Sequence, residues 1–189
     1  MSIHTNGYWI GMNAEGQHAY DENLSDALLA FFKNENVLTL CDFGCGMGSY
    51  VKHFNKNGLN ATGFDGNPNT PILTKNMCGI LDLSEPVKFN IPFSWVMSLE
   101  VGEHLPQKFE DIFINNLHNN NENGIILSWA VKGQGGHGHF NEQNNDYIKS
   151  KICKLGYVND IEKETELRKN AKLWWFKNTI MVFRKIKKE

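Results

Sequence analysis

Apolar residues recur at two different spacings along this chain. From Asn23, the residues Leu24, Ala27, Leu28, Phe31 and Phe32 fall at i, i+3, i+4, i+7 and i+8, the stripe of an amphipathic helix. From Val37 the pattern becomes the continuous run VLTLCDF, a short buried strand that ends at glycines. SYVKHFNKNG predicts a helix from Ser49 with Gly58 just past its end. NATGFD predicts a second strand ending at Asp65, CGILDL a third ending near Asp82, and FSWVMSLE a fourth from Phe93 to Glu100. PQKFEDIFINNLHN predicts a helix with Pro106 at its start and Phe109, Ile112, Phe113 and Leu117 on one side. GIILSWAV is a fifth strand, and NEQNNDYIKSKICKLG a helix closing at Gly156 with Tyr147, Ile148, Ile152 and Leu155 facing inward. YVNDIE and WWFKNTIMVFRK supply two last strands around a short helix, Thr165 to Ala171. Residues 1–20 are aperiodic and predict no regular element.

Near-continuous apolar strands alternating with amphipathic helices predict an α/β domain. It is a single doubly wound, mostly parallel sheet of seven strands with helices on both faces. In such sheets ligands bind beyond the carboxyl ends of the strands, which selects the residues to examine. The composition agrees with one packed domain: 189 residues, 41% hydrophobic and 12% aromatic.

A formal net charge of -2 provides no global field towards nucleic acid or anionic membrane, and neither is expected as a partner. The one basic cluster, Arg184, Lys185, Lys187 and Lys188, reads as a solvated tail. Cys41, Cys45, Cys78 and Cys153 form no CxxC pair and no metal-ligand rhythm, so reduced thiols are expected. The opening MSIHTNGYWIGMN lacks the basic-then-apolar pattern of a signal peptide. No apolar run approaches the ~20 residues of a membrane-crossing helix. A cytoplasmic location is therefore expected, while the pattern carries no signal for an oligomeric state.

The chemistry begins at CDFGCGMGSY. Gly44, Gly46 and Gly48 give G-x-G-x-G, whereas a dinucleotide turn requires G-x-G-x-x-G and would put glycine where Ser49 stands. Asp42 precedes the first glycine by two; a carboxylate there repels a pyrophosphate and suits a ligand carrying an ammonium group. Asp65, at the end of the next strand, is placed to accept two hydrogen bonds from a ribose diol. Asp82 is placed either to meet a purine edge, with Leu83 packing on the ring, or to cap a turn.

Together, DFGCGMG, GFDGNP, ILDL and SLEVGEHL resemble the class I S-adenosylmethionine-dependent methyltransferases over roughly residues 37–131. The resemblance implies that Asp42 and the glycine backbone hold the methionine end, that Asp65 binds the ribose hydroxyls, and that Asp82 and Leu83 line the adenine pocket. The implied cofactor-binding set is Asp42, Gly44, Cys45, Gly46, Gly48, Asp65, Gly66, Asp82, Leu83, Leu99 and Glu100. On this basis the chain is one methyltransferase domain in three parts. Residues 1–36 form an N-terminal cap segment and helix, 37–131 the S-adenosylmethionine-binding core, and 132–189 an acceptor loop and the C-terminal strands.

Methyl transfer from an activated sulfonium demands alignment and exclusion of water, and a base only where the acceptor must lose a proton. Three segments are placed to supply this. In Glu100-Val101-Gly102-Glu103-His104, His104 either takes part in the chemistry or orders the loop. In VKGQGGHGHFNEQNN, His137 and His139 either take a proton or hydrogen bond from the acceptor, which Asn141 helps to bind, or cap the next helix. The H-x-H pair lacks an evident third ligand, so no metal is expected. In the N-terminal YWIGMNAEGQHAYDENL, Trp9, His18 and Tyr20, with Tyr8, form an aromatic wall favourable to an amine or sulfonium, or else cover the sheet edge. Trp174, Trp175 and Phe176 are expected in the core or on a dimer surface.

Near-neutral charge, a compact chain and a polar, histidine-rich loop favour a small-molecule acceptor. SLEV stands where enzymes that methylate base amines carry Asn-Pro-Pro-aromatic, which disfavours a DNA adenine target. The alternatives are a methyltransferase acting on RNA or a protein side chain, and a non-catalytic S-adenosylmethionine-binding module.

Overall fold

The computed structural model describes residues 2–12 and 18–187; residues 13–17 of the N-terminal segment, and Lys188 of the basic cluster, lie outside the described residues. Two short strands, β1 (Ser2–Ile3) and β2 (Trp9–Ile10), are followed by helix α1 (Glu22–Asn34). Strand β3 (Thr39–Phe43), helix α2 (Ser49–Lys56) and strand β4 (Asn60–Asp65) come next, then the single turn α3 (Thr70–Leu73) and β5 (Cys78–Ile80). Strand β6 (Phe93–Leu99) leads through two 3₁₀ turns to α4 (Glu110–Asn119) and β7 (Asn121–Ser128). The chain closes with α5 (Asn145–Lys154), β8 (Tyr157–Asn159), α6 (Ile161–Asn170), α7 (Phe176–Thr179) and β9 (Met181–Lys185).

Seven strands form one sheet in the order β5-β4-β3-β6-β7-β9-β8. The first five pair in parallel, and β9 runs antiparallel to both β7 and β8. Successive side chains of a strand point to opposite faces, so an unbroken apolar run feeds two cores. Leu40, Trp95, Met97, Ile126 and Val182 face α1, α2, α6 and α7. Their neighbours Cys41, Val96, Ile125, Leu127 and Phe183 face α4 and α5. The expected doubly wound sheet with two helical layers is thus present. Its strand order reverses between β3 and β6, which opens a crevice at their carboxyl ends.

Several expectations are corrected in detail. The residues before α1 are not wholly irregular, because Ser2 pairs with Ile10 and Ile3 with Trp9 in a small antiparallel ribbon. Strand β3 starts at Thr39 because Leu38 is exposed. The segment after Ser128 leaves the ladder, since the buried Trp129 turns its indole to donate to the Asn141 carbonyl at 2.6 Å. Helix α6 is longer than expected because the Asp160 side chain caps its start, accepting from the Lys163 amide. Residues 174–180 are not strand; they coil into α7. Tyr147 is exposed rather than inward, with its hydroxyl donating to Glu110 at 2.7 Å.

Nor do Arg184 and Lys185 belong to a solvated tail. Both lie in β9, where Arg184 pairs with Glu35 and Asp160, and Lys185 donates to the carbonyls of His118 and Asn121. Lys187 is exposed. All four cysteines are free thiols.

The long connection from β5 to β6 is held from beneath. Asn116 of α4, itself buried, accepts from the Val87 amide and donates to the Leu83 and Glu85 carbonyls. Asn116→Ala strips partners from three backbone groups, so urea unfolding should show a loss of about 1–3 kcal/mol. An unchanged midpoint would show that these bonds contribute nothing net.

Candidate active site

A cavity of about 340 Å³ lies over the carboxyl ends of β3, β4, β5 and β6. Its floor is the turn after β3. The amides of Gly44 and Cys45 both donate to the Phe64 carbonyl, at 2.7 and 3.0 Å, which ties the turn to the end of β4. Asp65 continues the tie: its Oδ2 accepts from the Gly46 amide and its Oδ1 from the Asn67 amide, each at 2.9 Å. Gly44 has φ 82, and a Cβ there would overlap the Val101 side chain. At Gly66 a Cβ would run into the ring of Tyr8. Bare main chain is required at both places, so the floor stays open to a ligand.

The walls are acidic. Asp42, Asp65, Asp82 and Glu100 line the cavity, and no Lys or Arg does so among the described residues. Asp42 is 3% exposed, and burial, followed by the nearby Cys78 and Asp65, pushes its carboxyl well above the usual range. No donor among the described residues offsets that burial, so a bound cationic group would. Asp82 accepts from the Ser84 amide and hydroxyl and from the Asn6 side chain. Burial alone would raise its carboxyl, but these hydrogen bonds outweigh it and hold it low. Asp82 therefore caps a turn and fastens the N-terminal segment while it lines the cavity. An unpartnered carboxylate, a diol-sized acceptor in Asp65 and a turn without side chains fit a sulfonium nucleoside with an amino-acid tail. A diphosphate would find no cation here.

At the other end stand three histidines. Trp9 of β2 packs edge-on against His104, with ring centroids 5.8 Å apart, and tilted against His137 at 5.3 Å. His104 and His139 meet at 4.9 Å. Burial lowers the His104 imidazole to about 4, helped by His139, so it is neutral near pH 7. One donor atom each from Glu103, His104 and His139 lie within 4.8 Å of one another. Burial raises the Glu100 carboxyl, and raises the fully buried Glu103 carboxyl well above its usual range, with Glu100 adding to the latter.

A family model described as a methyltransferase domain matches residues 15–128, which spans α1 to β7 and the whole floor of the cavity. The chain belongs to the methyltransferase-domain family. It is an S-adenosylmethionine-dependent methyltransferase of class I, as its motifs led one to expect. No curated protein matches this methyltransferase by sequence.

Solved structures of similar fold include three methyltransferases. Magnesium protoporphyrin IX methyltransferase (ChlM) from Synechocystis PCC 6803, with bound SAM, has TM-score 0.66 at 16% identity, covering 92% of this chain and 88% of that one. The N-methyltransferase NodS from Bradyrhizobium japonicum WM9, in complex with S-adenosyl-L-homocysteine, has TM-score 0.65 at 12% identity, covering 94% of each chain. The small RNA methyltransferase HEN1 has TM-score 0.64 at 16% identity, covering 87% of this chain and 25% of that one. At these identities the likeness is one of fold.

Of the residues expected in the methyltransferase site, Asp42, Gly44, Cys45, Asp65, Gly66, Asp82, Leu83, Leu99 and Glu100 line the cavity, as do Trp9, His18, Tyr20, His104, His137 and His139. Three do not. Gly46 and Gly48 shape the turn from below, Gly46 giving its amide to Asp65 and Gly48 lying against Met77, Cys78 and Thr74. Asn141, expected at the acceptor, is buried away from it; its amide donates to Glu110 and its side-chain carbonyl accepts from Gln143. Of Trp174, Trp175 and Phe176, expected in the core or on a dimer surface, Phe176 is buried in the core with Trp175 packed against it, and all three also line the cavity where the chain turns into α7. Gln134 and Tyr50 also line it and were not singled out in the sequence. Gln134 stands in the glycine-rich loop, and its position there was the available signal.

Asp65→Ala is expected to weaken S-adenosylhomocysteine binding by about 10- to 100-fold, the worth of charge-assisted hydrogen bonds. His139→Ala, at the other end, should leave that affinity within about threefold of wild type by isothermal titration calorimetry. Equal losses would show that the cavity is not divided as described.

Proposed function

We propose that this methyltransferase acts on a small-molecule acceptor held inside the cavity. The observation that carries this reading is the lining itself: four carboxylates and, among the described residues, no Lys or Arg. A polyanionic acceptor would find no fixed cation on this lining, whereas nucleic-acid sites depend on Lys and Arg for affinity. The roof supports the same reading. Trp9 covers His104 and His137, and Asn6 is fastened to Asp82 at 2.7 Å, so the N-terminal segment encloses a space of small-molecule size.

When bound, S-adenosylmethionine supplies an electrophilic methyl group on a sulfonium sulfur. The chain's own residues then divide the work. Asp42 and the main chain of Gly44 and Cys45 hold the ammonium-bearing end, Asp65 accepts from the ribose hydroxyls, and Asp82 and Leu83 take the base. Tyr20, Trp174 and Trp175 bound the middle of the cavity with aromatic faces, which favour a cationic centre. His18 stands beside Asp65, and burial keeps its imidazole on the neutral side.

At the acceptor end, His104 and His139 have their Nδ1 atoms engaged, with the Gly138 carbonyl and with Glu142. His137 makes no hydrogen bond among the described residues and faces the cavity, so it is the group placed to take a proton from an acceptor. A roof closing over both reactants would exclude water and hold them in line.

Incubation with methyl-tritiated S-adenosylmethionine and a panel of small amines, alcohols, thiols and carboxylic acids, beside total RNA and protein, tests the reading. Label should move to a small molecule, at a rate that changes less than about twofold between about 50 and 300 mM KCl. Label found instead in RNA, with a steep fall in salt, would overturn it, as would label in protein. Cofactor binding without transfer to any member of the panel would favour a non-catalytic module.

A further inference from the structure

Behind the acceptor end the side chains are arranged as ligands rather than as a base. Glu103 is fully buried, and among the described residues neither of its carboxylate oxygens completes a hydrogen bond. The amides of Glu103 itself and Ala130 lie close enough to ease its charge in part, without forming one. A carboxylate so placed is costly unless a proton or a cation joins it. The two nearest donors are imidazoles, and both are oriented from behind. Nδ1 of His104 lies 3.0 Å from the Gly138 carbonyl, and Nδ1 of His139 lies 3.0 Å from Oε1 of Glu142. A carbonyl and an ionised carboxylate only accept, so each Nδ1 carries the hydrogen, and Nε2 is the nitrogen left to offer a metal its lone pair. Metal-binding histidines are held in this way, the outer nitrogen donating to a carboxylate or a carbonyl.

We propose that Glu103, His104 and His139 form a binding site for one divalent transition-metal ion at the acceptor end of the cavity. Their donor atoms lie within 4.8 Å of one another. Three ligands at about 2.0–2.2 Å from one ion stand about 3.3–3.8 Å apart, so a closure of at most about 1–1.5 Å, within reach of side-chain rotation, brings the set together. Two imidazoles and a carboxylate suit Mn²⁺, Co²⁺ or Zn²⁺ better than Mg²⁺ or Ca²⁺, which prefer all-oxygen sets.

Glu100 supports the assignment independently. It has φ 52, a left-handed conformation that a non-glycine residue adopts at a cost of about 1–3 kcal/mol. That conformation ends β6 and turns a second carboxylate towards Glu103, where it accepts from Gln134 and Thr179. Two carboxylates at close quarters in a buried site favour a cation between or beside them. His137, the other half of the H-x-H pair, is not one of the three; the third ligand comes from the turn after β6, far away in sequence. An ion held here opens towards the acceptor space, so an acceptor carrying a hydroxyl or carboxylate oxygen would complete its shell. The ion site does not depend on the acceptor's being small.

The test uses the full-length protein, freed of metal with EDTA and titrated with MnCl₂ while the free-ion signal is followed by electron paramagnetic resonance. One Mn²⁺ should bind per chain, and Co²⁺ in its place should give visible absorption bands. Glu103→Gln and His139→Ala should each weaken Mn²⁺ binding at least about tenfold, and Glu142→Gln, acting through His139, by about tenfold or more. Titration of each variant with S-adenosylhomocysteine checks that the cofactor half is folded, and that affinity should be unchanged. Absence of Mn²⁺, Co²⁺ and Zn²⁺ binding at millimolar metal would overturn the proposal and leave a protonated Glu103. Binding of equal strength in variants that still take S-adenosylhomocysteine would overturn it as well.

Discussion

The structure depends on a joint between two parallel strands. One carbonyl, that of Phe64, takes the amides of both Gly44 and Cys45, and the next residue, Asp65, takes the amide of Gly46. The turn after β3 is thereby stitched to the end of β4 by three consecutive amides and two accepting residues. With the joint made, the crevice at the switch point has a fixed floor of main chain. Asp42 and Asp65 then reach the cavity from adjacent strands, since Asp42 pairs with Gly63 in the register. Without it the acidic residues would still be present, but nothing would aim them at a common ligand.

Charge gives the cavity its character. The chain as a whole is nearly neutral, with a formal net charge of -2, yet the carboxylates gather in one place. Burial raises Asp42, Glu100 and Glu103, so each is held at a disadvantage in its charged form until a positive group arrives. The basic residues that might have answered them are used elsewhere. Arg184 is tied to Glu35 and Asp160, and Lys151 to Glu110 and Asp111. These cations are thus committed to partners away from the cavity, and the acidic site is left for ligands.

The pattern of the sequence revealed the sheet and most of the residues that line the cavity at its carboxyl edge, and it did so for a physical reason. Strand, glycine turn and the acid at the next strand's end lie within a short stretch, so their geometry follows from local rules and one topology. NATGFD is a strand over the residues expected, and the acids at 42, 65 and 82 all reach the cavity. What stayed hidden comes from distant segments. Nothing near Asn141 announces that its amide is taken by Glu110, 31 residues away. Nor does the WWF run, whose Phe176 is in the core, announce that its tryptophans also line the cavity. Glu103 looked like one acid among several in a loop, because its burial depends on Trp129, Ala130 and the chain at 140–141 closing around it; the Glu103 carbonyl accepts from both the Phe140 and Asn141 amides.

The ribbon of β1 and β2 has a kinetic consequence. Its strands are two residues each, Asn6 fastens it to the Asp82 carboxylate, and Trp9 rests on imidazoles rather than in the main core. So slight an attachment opens at little expense compared with the sheet below. Residues 2–12 are therefore the part of the enclosure with the weakest hold on the rest of the fold, and a bulky fusion at the amino end would press first on the wall that Asn6 and Trp9 complete.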